Sequence, residues 1–249
     1  MGFFMEHFVT PSNLIELQQN FSEVQQQITA ICKKIGRNPA EIRLLPVTKT
    51  LAIEKIEQAY QLGFCSFGEN KVLEAKAKYE ALQHLPIHWI LIGHLQSNKV
   101  KYVAKFIDEF HALDSLKLAE KLNHRLLLEQ RKIPVFIQVN TSNEHSKFGV
   151  EPEQALALIE QCQQFTQFKI IGLMTLAIHS QDAVEVRRCF QTLRVLRDQI
   201  QKIYPDVQRL SMGMSGDFEI AIEEGATDIR VGQAIFGARA LPDHYYWAE

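Results

Sequence analysis

The chain has 249 residues, 46% of them hydrophobic and 22% charged, with a formal net charge of −2. This is ordinary globular composition, too apolar for a disordered chain. The charge balance gives no whole-chain reason to expect nucleic acid or an anionic membrane as partner. The length admits one domain or two and suffices to bury a sizeable core without disulfides or metal.

The four cysteines, Cys32, Cys65, Cys162 and Cys189, are scattered with no C-x-x-C pair. Neither a zinc site nor a dithiol redox motif is indicated, and reduced, mostly buried thiols in a cytoplasmic protein are expected. The opening Met1-Gly2-Phe3-Phe4-Met5-Glu6-His7 lacks a basic n-region and its apolar run stops at Glu6, so no signal peptide is expected. No stretch reaches the roughly 20 apolar residues of a membrane span.

In chain order, residues 12–35 predict an amphipathic helix with Ile15, Val24, Ile28 and Ile31 along its apolar stripe. A strand is expected over 42–47 and a helix through Ile53, Ile56, Ala59 and Tyr60. Strand 64–67 and helix 72–82 follow, then strand 89–92 and a short basic helix over 100–104. Strand 106–113 leads to a helix from Ser115 to about Gln130, and strand 134–139 to a helix over 152–162. Strand 168–173 precedes the long helix 182–203. Strand 209–212, a helix starting near Asp217 and strand 228–231 complete the series. Ser115 reads as an N-cap, Glu151-Pro152 as a first turn, and Asp217 as the residue before a helix. Eight strand–helix units imply a parallel sheet with crossover helices, and eight such units close a barrel. The expectation is a single (β/α)8 TIM-type barrel with an extra N-terminal helix, one domain over 1–249.

Sites in such barrels lie at the carboxyl ends of the strands, with phosphate often bound after strands seven and eight. Lys49 follows the first strand in Pro46-Val47-Thr48-Lys49-Thr50. Partial desolvation at a barrel mouth lowers a lysine pKa and favours the free amine that imine formation needs. Position alone favours the plainer reading, a solvent-facing lysine capping the strand. After the seventh strand stands Ser211-Met212-Gly213-Met214-Ser215-Gly216-Asp217, and after the eighth Arg230-Val231-Gly232-Gln233-Ala234-Ile235-Phe236-Gly237. Glycines permit close backbone approach and serine hydroxyls add donors. Either loop alone is weak evidence; their joint placement favours a phosphate cradle. Arg230 alternates with Ile229 and Val231 and so shares a face with Gly232. If that face meets the ligand, Arg230 points into the barrel and needs an anion or acceptor. A buried pair with a neighbouring acid serves that need equally well.

Taken together, these stretches resemble the pyridoxal phosphate homeostasis proteins, which bind pyridoxal 5′-phosphate (PLP) and are related to the barrel domain of alanine racemase. The resemblance runs through 46–50 (PVTKT), 67–72 (FGENKV), 92–99 (IGHLQSNK), 139–149 (VNTSNEHSKFG), 172–175 (GLMT), 210–217 (LSMGMSGD) and 230–239 (RVGQAIFGAR). It covers nearly the whole chain. It implies a Schiff base at Lys49, phosphate contacts from Ser211, Met212, Gly213 and Ser215 and from Gly232 and Gln233 onward, and Arg230 facing the pyridine nitrogen. It also implies that Asn70 lines the mouth and that Lys147 stands near the cofactor entrance, though Lys147 reads equally as a surface lysine. The family often has a histidine where this chain has Ile90, and His88 stands on the other side of Trp89, so no histidine role transfers to position 90.

A PLP-binding protein is expected rather than an enzyme. Most PLP enzymes protonate the ring nitrogen with a carboxylate to make an electron sink, and an arginine cannot deliver that. Alanine racemases with an arginine there add a tyrosine from a second domain. Here only residues 241–249 remain beyond the barrel, and Tyr245 and Tyr246 read as packing aromatics. The implied role is reversible PLP holding in vitamin B6 and amino-acid homeostasis, by a monomer, with PLP-dependent apo-enzymes as acceptors. The alternative is a PLP-dependent racemase or related enzyme, for which His94, Lys147 and Tyr246 are the acid/base candidates. A class I aldolase with a substrate imine on Lys49 is a further reading. Lys99, Lys101 and Lys105 are followed by Asp108 and Glu109 and read as a solvated helix face, not a nucleic-acid site. His84 and His88 are split by Pro86, which breaks a metal-binding helix face. Arg187, Arg188, Arg194 and Arg197 read as a solvated helix face.

Overall fold

The computed structural model describes residues 10–144 and 147–238. The chain forms β1 (Arg43–Pro46), β2 (Ser66–Glu69), β3 (His88–Leu91), β4 (Glu109–Leu113), β5 (Ile133–Gln138), β6 (Phe168–Met174), β7 (Arg209–Ser211) and β8 (Asp228–Val231). These eight strands make one sheet in the order β1-β8-β7-β6-β5-β4-β3-β2, every pair parallel. Between β1 and β2 the ring closes through one bridge, Val47 with Gly68, where the Thr48 amide donates to the Gly68 carbonyl at 3.0 Å. In a parallel strand alternate residues face alternate neighbours, so Pro46 faces β2 as Thr48 does, and proline has no N–H to give. The result is a nearly closed (β/α)8 barrel of TIM type.

The crossovers are α2 (Ile53–Gln61), α3 (Val72–Ala81), the single turn α4 (Val100–Val103), α5 (Leu116–Leu128), α6 (Ala155–Cys162) and α7 (Ala183–Gln201). The α8 segment (Phe218–Glu223) joins β7 to β8, and the short α9 (Gln233–Phe236) follows β8. Before them all stands α1 (Leu14–Ile35), capped by the Asn13 side chain at its start and by left-handed Gly36, φ 72°, at its end. Its buried face is Leu17, Phe21, Val24, Ile28, Ile31 and Cys32. Ile15, expected on that stripe, is 69% exposed, because it precedes Leu17 by two residues and so lies on the far side of the helix. The helix lies against α8, α9 and α2. Asn20 donates to the Ile235 carbonyl at 2.8 Å, and Phe21 stacks on Phe64 at 3.8 Å.

Two other expectations shift. The fourth strand starts at Glu109 rather than at 106, because Phe106 and Ile107 both donate to the Val103 carbonyl and finish the turn of α4. The arginines of α7 face acids as well as solvent: Arg187 pairs with Glu223 and Glu224, and Arg194 with Glu224, tying α7 to α8. Of the four cysteines, Cys32, Cys162 and Cys189 are buried and Cys65 is exposed. Among the described residues no helix is long and apolar enough to cross a membrane.

At its amino end the barrel interior is filled with charge. Arg43 Nε meets Asp228 at 2.5 Å and its guanidinium also binds Glu109, while Arg209 donates to the same Asp228 at 3.0 Å. Phe136 is inserted among them, with Arg209 5.7 Å from its ring centroid and His111 4.1 Å. Gly172 makes room, since a Cβ there would stand 2.7 Å from the Phe136 ring. Burial pushes the Glu109 carboxyl up, but hydrogen bonds from His111 and Arg43 outweigh it and hold it at about 2. A carboxyl lowered from 4.5 in the unfolded chain stabilises the fold fully above that pH, and the contribution is lost as pH falls towards about 2. Urea denaturation of Glu109→Gln at pH 7 should show a loss of about 3 kcal/mol. The variant should also lose the part of the acid sensitivity that wild type shows between pH 4.5 and about 2.

Candidate functional site

At the opposite, carboxyl end of the barrel the chain leaves β1 through Val47 and Thr48 to Lys49, whose side chain is half-buried. The next residue, Thr50, has φ 65°. A β-branched residue in the left-handed region is strained and persists only when its surroundings fix it. Here they do. The Glu74 carboxylate accepts the Thr50 amide at 2.5 Å. Lys78, only 5% exposed, donates to the Thr48 carbonyl at 2.6 Å, to Glu69 at 2.8 Å and to Glu74 at 2.6 Å. The Thr48 hydroxyl donates to Glu69 at 2.6 Å. Burial pushes the Glu69 carboxyl up, against the pull of Lys78 and Thr48. The backbone on both sides of Lys49 is therefore held by one buried lysine and two carboxylates. Sequence reasoning missed this clamp, although a signal existed: Lys78 continues the buried face Val72, Ala75 of α3 at helical spacing.

Asn70 follows β2 at the same end. Its Oδ1 is buried and accepts no hydrogen bond. Its backbone lies against Gly93, where a Cβ would stand 2.1 Å from the Asn70 carbonyl oxygen. Residue 93 of the GHLQSNK stretch is thus fixed as glycine by close packing.

The loops after β7 and β8 meet as expected. Ser211 and Met212 are fully buried, and the Met212 amide donates to the Asp228 carbonyl at 3.0 Å. Gly213 turns the chain at φ 94°, and its carbonyl accepts the Arg230 amide at 2.9 Å. Asp217 closes the turn by accepting the Met214 amide at 2.5 Å. Ser215 Oγ accepts from the amides of Gly232 at 3.3 Å and Ala234 at 3.2 Å, so one hydroxyl joins both loops. Gly232 lies beside the Lys49 loop, since a Cβ on it would stand 3.3 Å from the Val47 carbonyl oxygen. Gln233, half-buried, opens α9.

Arg230 points into the barrel and is 3% exposed. Its guanidinium donates to Ser211 Oγ at 2.7 Å and to the Thr175 carbonyl at 2.8 Å, so its hydrogen-bonding partners are neutral acceptors rather than an acid. Burial lowers its pKa to about 10, while the charges of Asp217 and Asp228 oppose the fall, so it remains a cation at neutral pH.

Lys147 and His94 follow β5 and β3 at the same end of the barrel. Lys147 donates to the Ala177 carbonyl at 2.9 Å and pairs with Glu144. His94 stacks on Phe148 at 3.7 Å with its Nδ1 3.3 Å from Asp114, whose carboxyl burial pushes up. Arg239, Tyr245 and Tyr246 lie outside the described residues. His84 and His88 sit against different acids, Glu57 at 3.7 Å and Asp108 at 4.0 Å.

Residues 13–240 match the family model of the alanine racemase N-terminal domain, which sets the class of this barrel. An alanine racemase from Clostridium difficile shares the fold with a TM-score of 0.74 at 13% identity, across 93% of this chain and 59% of the racemase. Much nearer in sequence is the pyridoxal phosphate homeostasis protein of Aquifex aeolicus, 40% identical over 222 residues, 89% of this chain and 97% of that protein. PipY of Synechococcus elongatus, solved with PLP bound, is 33% identical with a TM-score of 0.79, across 89% of this chain and all of PipY. The chain belongs to the pyridoxal phosphate homeostasis protein family.

The clamp gives a direct test. Replacing Lys78 by methionine leaves Glu69 and Glu74 uncompensated beside Thr48 and Thr50. Urea denaturation should show a loss of about 3 kcal/mol or more, as for a broken buried pair. Lys76→Met, which removes a surface pair with Glu80 on the same helix, should cost less than about 1 kcal/mol.

Proposed function

We propose that this protein holds PLP reversibly in the barrel mouth as a Schiff base on Lys49, and serves PLP and amino-acid homeostasis without catalysing a reaction of its own. The observation that carries the reading is spatial: the Lys49 loop, the joined Ser215–Gly232 loops and the buried Arg230 converge at the carboxyl end of the barrel. The likeness to PipY with PLP bound supports it.

The residues fit the cofactor. Bound PLP supplies an aldehyde that condenses with an amine, and a pyridine ring that can serve as an electron sink. Lys49 would provide the amine, on a backbone that Lys78, Glu69 and Glu74 hold. Gly213, Ser215, Gly232 and Gln233 would hold the phosphate, with Ser211 and Met212 fixing the base of the loop. Ser215 Oγ already accepts from the Gly232 and Ala234 amides, which leaves its own proton to be donated outward to an anion. The orphaned Oδ1 of Asn70 is a buried acceptor at the same mouth, the kind of atom a bound ligand satisfies.

Arg230 argues for holding over chemistry. A guanidinium has five donors and no acceptor, and two of those donors go to Ser211 and Thr175. Facing a ring nitrogen it donates a hydrogen bond without giving up a proton, so the ring stays a weak sink. Of the acid/base candidates, Lys147 is tied to the Ala177 carbonyl and Glu144, and His94 is stacked flat on Phe148 beside Asp114. A monomer with an open mouth, passing PLP to apo-enzymes that require it, accounts for all of this.

Adding PLP to wild type should produce a visible absorbance band, and borohydride followed by mass spectrometry should place the adduct on Lys49. Lys49→Ala should lack the band and weaken PLP binding at least tenfold. Label on another lysine overturns the site. Amino-acid racemisation at enzymatic rates, abolished in Lys49→Ala, overturns the carrier role.

A further inference from the structure

His111 is the buried titratable group for which the site as described has no use. It lies in the middle of β4, its side chain is fully buried, and it points into the barrel. Its Nε2 meets the Glu109 carboxylate, and its Nδ1 stands 2.8 Å from Ser211 Oγ. The same Ser211 oxygen accepts from Arg230 at 2.7 Å. One hydrogen-bonded line therefore runs from the ionic network at the amino end of the barrel to the arginine at the mouth: Glu109, His111, Ser211, Arg230.

The direction of every bond in the line follows from its first member. Glu109 is ionised at neutral pH and can only accept. His111 Nε2 must then carry the hydrogen. Burial holds the imidazole below its usual range for taking a second proton, so Nδ1 is bare and accepts. The Ser211 hydroxyl must donate to Nδ1. Its lone pairs are thereby left for Arg230, which can only donate. Turned the other way, the hydroxyl hydrogen would point at the guanidinium, and the anchor on that side of Arg230 would become a repulsion.

We propose that His111 is a positioning residue for the ring-nitrogen end of the cofactor site. By fixing the Ser211 hydroxyl as a donor to itself, it makes Ser211 Oγ an obligatory acceptor for Arg230. With Ser211 on one side and the Thr175 carbonyl on the other, the guanidinium has one orientation, and its remaining donors are presented to whatever occupies the mouth. The inference rests on the reading that PLP is the occupant. The local geometry supports it over a merely space-filling role: an apolar residue at 111 would fill the same volume beside Phe136 but would release the Ser211 hydroxyl to rotate.

The test is a double-mutant cycle on the full chain, read as the PLP dissociation constant by absorbance titration and as the position of the bound-PLP band. His111→Phe and Ser211→Ala should each weaken PLP binding roughly tenfold, the scale of a lost hydrogen bond to a charged group. The double variant should be no weaker than the weaker of the two, because both break one line. His111→Asn, whose Oδ1 can take the place of Nδ1 as acceptor, should recover most of the His111→Phe loss. Thermal unfolding without PLP identifies variants that do not fold. If His111→Phe does not fold, Ser211→Ala and His111→Asn carry the test. Wild-type affinity and band position in Ser211→Ala, losses that multiply in the double variant, or His111→Asn binding no better than Ser211→Ala, would each overturn the proposal. Absence of PLP binding by wild type instead removes the functional reading on which it rests.

Discussion

The barrel depends on finding partners for charges that its own strands place inside. Arg43, Glu109, Arg209 and Asp228 each open a strand and turn inward, so the amino end of the cylinder holds ions where aliphatic layers are usual in this architecture. Taking such groups from water costs several kcal/mol each, and the cost is met only if every lone pair and proton is engaged. They are engaged with one another: Asp228 serves both arginines, and Glu109 serves Arg43 and His111. The arrangement admits little slack, since a half-satisfied network is worse than an apolar core. It also carries order upward. Ser211 and Arg230 are the next inward residues on β7 and β8 above Arg209 and Asp228, so the strands that carry the ionic base also carry the mouth.

How much of this the sequence discloses differs with the range of the interaction. The strand series is legible because short apolar runs alternate with segments of helical periodicity. The β7 and β8 loops are legible for a related reason, as glycines and serines stand where a barrel places its phosphate site. The limits appear where meaning depends on a partner far along the chain. Phe106 and Ile107 are as apolar as strand residues, and only a bond back to Val103 makes them a turn. Lys78 looks like one more helix lysine until Glu69 and Thr48 are brought to it. His111 sits in an apolar stretch, and nothing local pairs it with Ser211, one hundred residues later. Arg230 was recognisable as inward-facing from strand alternation, whereas its choice of neutral acceptors over a neighbouring acid required the fold.

Family membership and the geometry bear on different parts of the site. The family rests on likeness along nearly the whole chain. The geometry adds what likeness does not: a strained Thr50 fixed by carboxylates, a serine hydroxyl that joins two loops, and an arginine that remains charged in the barrel interior. Each is a constraint on backbone or charge, and each would persist whatever name the fold carried.

The seam between β1 and β2 sets the mechanical character of the mouth. Arg230 stands on a strand laddered on both sides, so its base moves only if the sheet moves. Lys49 leaves a strand laddered to β8 along its whole length but joined to β2 by a single bridge, with Pro46 unable to add another. Beyond its backbone bonds, its loop is held by side chains, through Lys78 and two carboxylates. The two sides of the mouth thus differ in how they are tied. One rests on ladder bonds alone, and the other adds a buried lysine between two carboxylates, ties that added salt barely screens but that protonation of the carboxylates would weaken.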